Sequence, residues 1–213
     1  MAIITVSRMY GSGGSDVAAR VASALGWSLL DNALVERVAQ RMRTTPAMVQ
    51  KIEERVPSLT QRVAEALALG SPEFLPTPAP GGLAPTEERL LEVTRRVIED
   101  AVAQGPVVVV GRGAQELLAQ RGDAVHVFCY APRPALIARV MERHNVGAGE
   151  AERIVDETNR QREQYVKRHW NRSWRAAEHY HMCVNTEWLG LDGAANAIVA
   201  AVRQRFGAAA GGA

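Results

Sequence analysis

Eight residues near the start of the chain have the types and spacing for phosphate chemistry. Arg8-Met9-Tyr10-Gly11-Ser12-Gly13-Gly14-Ser15 lies between an apolar, β-branched run and a helical pattern. Glycines between a strand and a helix let backbone N–H groups converge on an anion, and the helix dipole adds to the attraction. The nucleotide-binding form of such a turn is G-x-x-x-x-G-K-[ST]. Gly13 and Ser15 match it, whereas Arg8 stands at the first glycine and Gly14 at the lysine. That lysine normally neutralises the outer phosphates during transfer. Arg8 is the local cation that could replace it. The alternative is a glycine-rich turn with no ligand.

Three further groups invite the same question. Gly111-Arg112-Gly113 directly follows the buried-looking run Val107–Val110. A guanidinium there could hold a phosphate bidentately; a surface ion pair is the other reading. Asp31 closes a second short apolar run, with Arg37 six positions later. Asp31 is either a helix cap or a contact to the sugar, base or phosphate of a second substrate. Thr158–Arg175 sets Arg160, Arg162, Lys167, Arg168, Arg172 and Arg175 against one acid, Glu163, with Tyr165, Trp170 and Trp174 interleaved. That mix suits a solvated face, a nucleic-acid or membrane surface, or a lid whose arginines close over a transferred phosphate. His126, His144, His169, His179 and His181 lack metal-ligand spacing with the cysteines and read as structural or surface residues. No G-x-S-x-G nucleophile elbow is formed.

The elements that must position these groups follow from apolar periodicity. Strands are expected at Met1–Ser7, Trp27–Leu30, Val107–Val110, Ala124–Tyr130 and His181–Asn185. Helices are expected at Asp16–Leu25, Ala33–Arg43, Pro46–Arg55, Ser58–Leu69, Glu87–Gln104, Ala114–Gln120, Pro134–His144, Glu150–Arg168 and Leu191–Phe206. Ser71–Thr86 holds five of the ten prolines and reads as a loop. Gly207–Ala213 reads as a frayed tail. Strands alternating with helices imply an α/β fold, a parallel sheet with helices on both faces. Ligands of such sheets bind at the carboxyl ends of the strands, where Arg8–Ser15, Asp31, Gly111–Gly113, Ala131–Arg133 and Asn185-Thr186 fall.

Composition bounds the rest. At 213 residues, 47% hydrophobic and 23% charged, the chain is long enough for a core and too apolar for disorder. No apolar run has the length of a membrane span, and no leader pattern is read. Cys129 and Cys183 make no disulfide framework, so a reducing cytoplasm is the expected location. Of 25 basic residues, Lys51 and Lys167 are lysines and the remaining 23 arginines. GC-rich codons explain such a skew, and so does binding of planar anions. A net charge of +2 argues against nucleic acid as a partner and leaves the oligomeric state open.

With these residues quoted, the chain resembles the cytidylate kinase-like branch of the P-loop nucleoside monophosphate kinases. The resemblance rests on Ile3-Ile4-Thr5-Val6-Ser7-Arg8-Met9-Tyr10-Gly11-Ser12-Gly13-Gly14, Leu30-Asp31, Val109-Val110-Gly111-Arg112-Gly113-Ala114, Tyr180–Thr186 and Leu189-Gly190-Leu191-Asp192-Gly193-Ala194. It implies one three-layer P-loop domain over 1–213. The core would span 1–32, 87–144 and 179–207, with a helical monophosphate-binding insert at about 33–86 and a helical lid at about 145–178. It also implies ATP with Mg²⁺ as donor and a nucleoside monophosphate, CMP for example, as acceptor. Gly11, Ser12, Gly13, Gly14 and Ser15 would cradle the ATP phosphates, with Ser15 on the metal. Asp31, Arg37, Arg112 and Arg168 would face the acceptor. Arg8, Arg160 and Arg162 would carry catalytic charge, with Arg139 and Arg143, one helical turn apart, placed to assist. The competing expectation is a non-catalytic nucleotide-binding or regulatory module, because the P-loop lysine is absent.

Overall fold

A computed structural model describes residues 2–31 and 87–207, with isolated positions 39, 41, 42 and 45–47 between them. The expected helices between 33 and 69 lie largely outside the described residues. Arg37, the proline-rich segment and the tail beyond 207 lie wholly outside them.

Five strands form one parallel sheet: β1 (Ile3–Arg8), β2 (Ser28–Leu30), β3 (Val107–Val110), β4 (Ala124–Tyr130) and β5 (Met182–Asn185). Their order is β2-β3-β1-β4-β5. The register pairs Val6 with Val110 on one side of β1 and with Val127 on the other. The helices described in full are α1 (Gly14–Leu25), α2 (Glu87–Gln104), α3 (Ala114–Leu117), α4 (Arg133–His144), α5 (Ala148–Trp170) and α6 (Gly190–Phe206).

Near-continuous β-branched runs become strands buried on both faces, as a parallel sheet requires. Every residue of β3 is buried. On one face Ile4, Val6, Val108, Val110 and Val127 pack against Val17, Val21 and Leu25 of α1 and Ile198 and Val202 of α6. On the other, Ile3, Val107 and Val109 pack against Leu90, Val97 and Ile98 of α2. Each such side chain contributes about 1.5–3 kcal/mol on burial. The result is the expected three-layer α/β architecture.

α5 is tied down along its length. Ala151 and Val155 pack with Leu136 and Val140 of α4, and Val166 packs with Phe128, Trp174 and Tyr180. The helix expected at Ala114–Gln120 stops at Leu117. Leu118 leaves helical geometry at φ −110° and ψ 11°. Tighter three-residue bonds, Ala119 N–H to the Glu116 carbonyl and Arg121 N–H to the Leu118 carbonyl, carry the chain on into β4.

This strand order makes β1 the switch point. The chain first builds β2 and β3 on one side of β1, then β4 and β5 on the other. A crevice opens at the carboxyl end of such a strand, and the Arg8–Ser15 turn sits there.

Candidate active site

The first turn is built by the backbone. Met9 N–H still bonds the Cys129 carbonyl as an extension of β1. Ser12 then closes the turn on itself, its N–H and its Oγ both donating to the Met9 carbonyl at 3.2 and 2.8 Å. Ser12 is fully buried, so its hydroxyl faces inward and only its backbone borders the cradle. α1 begins at Gly14. The first N–H groups of a helix have no partner within the helix, and here they point with the dipole into the crevice. Ser15 is partly exposed in that first turn.

Residues from distant elements hold this turn from two sides. Thr186, after β5, donates its Oγ1 hydrogen to the Ser12 carbonyl at 2.6 Å. Arg139 on α4 donates to the same carbonyl at 3.3 Å, to Thr186 Oγ1 at 3.1 Å and to Glu187 at 2.7 Å. From the opposite side, Tyr10 N–H donates to Oδ1 of Asn159 at 2.7 Å, a side chain buried within α5. Arg162 donates to the Arg8 carbonyl at 2.6 Å, and its guanidinium lies 5.5 Å from the centre of the Tyr10 ring.

The second turn is built around side chains. Gly111, Arg112 and Gly113 have φ of 72°, 56° and 66°. For arginine that left-handed backbone costs about 1–2 kcal/mol, and such strain concentrates at functional sites. Arg8 reaches this turn from β1: a Cβ on Gly111 would collide with Nη1 of Arg8. The Arg8 guanidinium ends 3.5 Å from Asp31, each side chain about one-fifth exposed. Trp170, at the end of α5, lies so close to Gly113 that a Cβ there would enter the indole ring.

Arg8, Arg112 and Arg162 therefore converge near Asp31, the carboxylate beside them among the described residues. Burial lowers the Arg112 pKa to about 10, and the Arg8 charge lowers it further while Tyr165 and Asp31 oppose the shift. Burial also lowers Arg162 to about 9, again aided by Arg8. Arg8 is lowered by burial, with Asp31 opposing. Arginine side chains stay protonated in proteins, and three of them gathered in a partly buried crevice make an arrangement that can attract an anion.

The remaining sequence candidates fall elsewhere. Inward positions of α5 repeat as Val155, Asn159, Arg162 and Val166, which directs Arg162 to the crevice. Arg160 and Arg168 are exposed, as is Arg143. The interleaved aromatics are packing groups: Trp174 is buried against Phe128 at 5.3 Å, and Tyr165 and Trp170 join the same cluster. His181 stacks on His126 at 5.0 Å and accepts its backbone N–H. Burial and His181 together push His126 down to about 4, so it stays neutral while it bonds Thr5 at 2.8 Å. Asn159 and the steric role of Gly14 were not anticipated from sequence; a polar residue on the apolar stripe of α5 is the signal that could have pointed to Asn159. Thr186 was marked by its place just after the fifth strand, without its contact to Ser12.

No group of three or more His, Cys, Asp or Glu suited to a metal occurs among the described residues. Mg²⁺ does not need such a cage, because it is commonly held by one or two protein oxygens plus substrate phosphates. A partly exposed serine in the first turn of α1, Ser15, fits that mode. No helix among the described residues is long and apolar enough to cross a membrane.

A five-stranded parallel sheet with a glycine turn at its switch point and helices on both faces is a P-loop kinase-like fold. The chain matches the model of the cytidylate kinase-like family over residues 3–188 and belongs to that family. Family and fold together support phosphoryl transfer with nucleotides as the general class of chemistry. An uncharacterized protein from Eubacterium ventriosum ATCC 27560 is similar in structure, with TM-score 0.69 and 19% identity over 95% of this chain and 98% of that one. Shikimate kinase from Bacteroides thetaiotaomicron gives 0.49 and 14% over 95% and 96%. Deoxyadenosine kinase from M. mycoides gives 0.47 and 10% over 95% and 99%. A search by sequence finds no match among curated proteins.

Proposed function

We propose that the chain transfers the γ-phosphoryl group of ATP to the phosphate of a nucleoside monophosphate. One observation carries this reading: Arg8, Arg112 and Arg162 gather at the carboxyl ends of β1 and β3, with Asp31 the carboxylate beside them among the described residues. Three guanidiniums beside one carboxylate match a phosphate dianion better than a neutral or singly charged acceptor.

The roles follow from position. Backbone groups of Gly11–Ser15 and the N-terminus of α1 cradle the donor phosphates. Ser15 holds Mg²⁺, which neutralises charge on the donor phosphates when bound. Arg112 holds the acceptor phosphate, and Asp31 orients Arg8. In the reaction the bond between the γ-phosphorus and the β–γ bridging oxygen breaks, and a bond from an acceptor phosphate oxygen to that phosphorus forms. ADP leaves with the bridging oxygen. The protein contributes positioning and positive charge, with no covalent intermediate. Arg160 and Arg168 contribute charge from α5 at longer range, and Arg37 belongs to the acceptor side.

The test is a panel of ribo- and deoxyribonucleoside monophosphates with ATP and Mg²⁺, following ADP release. Turnover with at least one of them is expected, CMP being the first to try. Silence across the panel, with ATP still raising the melting temperature, would instead identify a nucleotide-binding module.

A further inference from the structure

The chain departs from the G-x-x-x-x-G-K-[ST] pattern at two positions, Arg8 and Gly14, six residues apart. In the folded protein these positions touch. A Cβ built on Gly14 would stand 2.5 Å from Cβ of Arg8 and 3.1 Å from both Cγ of Arg8 and Cβ of Cys129. Those atoms are the stems of two strand residues in register, Arg8 against Cys129. Stems move only with the backbone, so the space is closed to any side chain at position 14. The same geometry explains the usual motif: a glycine at the first position leaves room for a lysine stem at the seventh. The two departures are therefore one exchange.

The exchange moves the cation. A lysine at the start of α1 would extend over the donor phosphates. Arg8 starts instead at the end of β1 and crosses beneath Gly111, whose missing side chain is what admits Nη1. Its guanidinium ends toward Asp31, on the Arg112 side of the crevice. Arg162 fixes the base of this arm by donating to the Arg8 carbonyl at 2.6 Å. The Arg8 side chain thus runs from a stem beside Gly14 in the glycine turn to a guanidinium beside Gly111 and Asp31.

We propose that Arg8 is the phosphate-neutralising cation of this P-loop, relocated from the first turn of α1 to the end of β1, and that it meets the outermost donor phosphate. Gly14 is the accommodation that the relocation requires. The proposal rests on the donor half of the reading above and makes no use of the acceptor's identity.

The experiment compares the wild type with Arg8→Gly, Gly14→Ala, Gly14→Lys and the doubles Arg8→Gly/Gly14→Ala and Arg8→Gly/Gly14→Lys. Calorimetric affinities for ATP and for ADP, with Mg²⁺, and melting temperatures are measured on each full-length protein. Arg8→Gly is expected to weaken ATP about tenfold and ADP by no more than about twofold, because only ATP carries the outer phosphate. Gly14→Ala is expected to lower the melting temperature by about 5 °C, with the Arg8→Gly background removing most of that loss. Arg8→Gly/Gly14→Lys restores the full motif and should regain about tenfold in ATP affinity over Arg8→Gly. Gly14→Ala serves as the steric probe if Gly14→Lys does not fold. The proposal is overturned if Arg8→Gly binds ATP as the wild type does. It is equally overturned if Gly14→Ala costs the same in both backgrounds. A monophosphate panel with no turnover would remove the acceptor reading, while these binding and melting arms still decide the role of Arg8.

Discussion

Two turns of similar sequence close neighbouring strands, and they are built in opposite ways. Gly11-Ser12-Gly13-Gly14 follows β1, and Gly111-Arg112-Gly113 follows β3. In the first, the residue between the glycines turns its side chain inward to the Met9 carbonyl, and the surface offered to a ligand is backbone. A twelve-residue helix behind it supplies a dipole. In the second, the intervening residue is an arginine held in left-handed geometry, and the helix behind it has four residues. A short helix adds little field, so on the proposed reading the guanidinium does the binding. One turn suits the polyanionic donor that many N–H groups can share. The other suits a single phosphate that must be oriented.

The largest effect expected from this contrast concerns Arg112. Replacing it with alanine removes a charged, bidentate contact worth about 3 kcal/mol, or about a hundredfold. That loss should appear in kcat/KM for the acceptor, with ATP affinity changed by no more than about threefold. Equal losses for donor and acceptor would break the division of labour between the turns. Alanine keeps the Cβ that makes the left-handed backbone costly, so the strain at position 112 persists and the melting temperature should change little.

A second pair of substitutions separates the turns by their failure modes. Gly11 has φ +81°, and a Cβ there would lie 2.6 Å from the backbone carbonyl oxygen of Leu136. Gly111 has φ +72°, but its added Cβ would meet only the tip of the Arg8 side chain. Backbone cannot yield, whereas a guanidinium can swing away. Gly11→Ala should therefore cost about 2–3 kcal/mol of stability, or about 6–8 °C in melting temperature. Gly111→Ala should cost about half of that and lose activity out of proportion to its stability, because Arg8 is displaced from Asp31. Thermal melts and acceptor kinetics on the two purified variants check both statements. A reversed ranking in the melts would contradict the contrast.

The same contrast explains what sequence alone could reach. Val107–Val110 or Ile3–Val6 can hardly be read as anything but buried strands, and glycines directly after them mark turns. Those signals lie within a few residues of each other, so the architecture and both turns were legible. Arg160, Arg162 and Arg168 looked alike because sequence gives only their spacing. The packing of Val155 and Val166 sets the rotation of α5, and that rotation selects Arg162 for the crevice. Asn159 contacts Tyr10 across 149 positions, and Thr186 contacts Ser12 across 174. No local pattern encodes such pairs. Gly14 was legible as a departure but not as a consequence, since its reason is the stem of Arg8 in the adjacent element.

The smallest effect concerns the supports of the first turn. Thr186 is fully buried, and its hydroxyl bonds the Ser12 carbonyl at 2.6 Å. Valine keeps nearly the same volume and removes the donor. The Ser12 carbonyl then retains only the longer Arg139 bond at 3.3 Å, and Arg139 loses one of its acceptors. The hydroxyl's 3.2 Å contact to the Tyr130 carbonyl goes too, and losing this shared buried group costs about 1–1.5 kcal/mol, or about 3–4 °C in melting temperature. Because Ser12 is part of the donor turn alone, Thr186→Val should weaken ATP about two- to fivefold and leave the acceptor KM within about twofold. Thr186→Ser keeps the hydroxyl and should recover the ATP affinity while retaining part of the stability loss. If Thr186→Val raises the acceptor KM and spares ATP, the two turns are coupled through β5 and cannot be assigned to separate substrates.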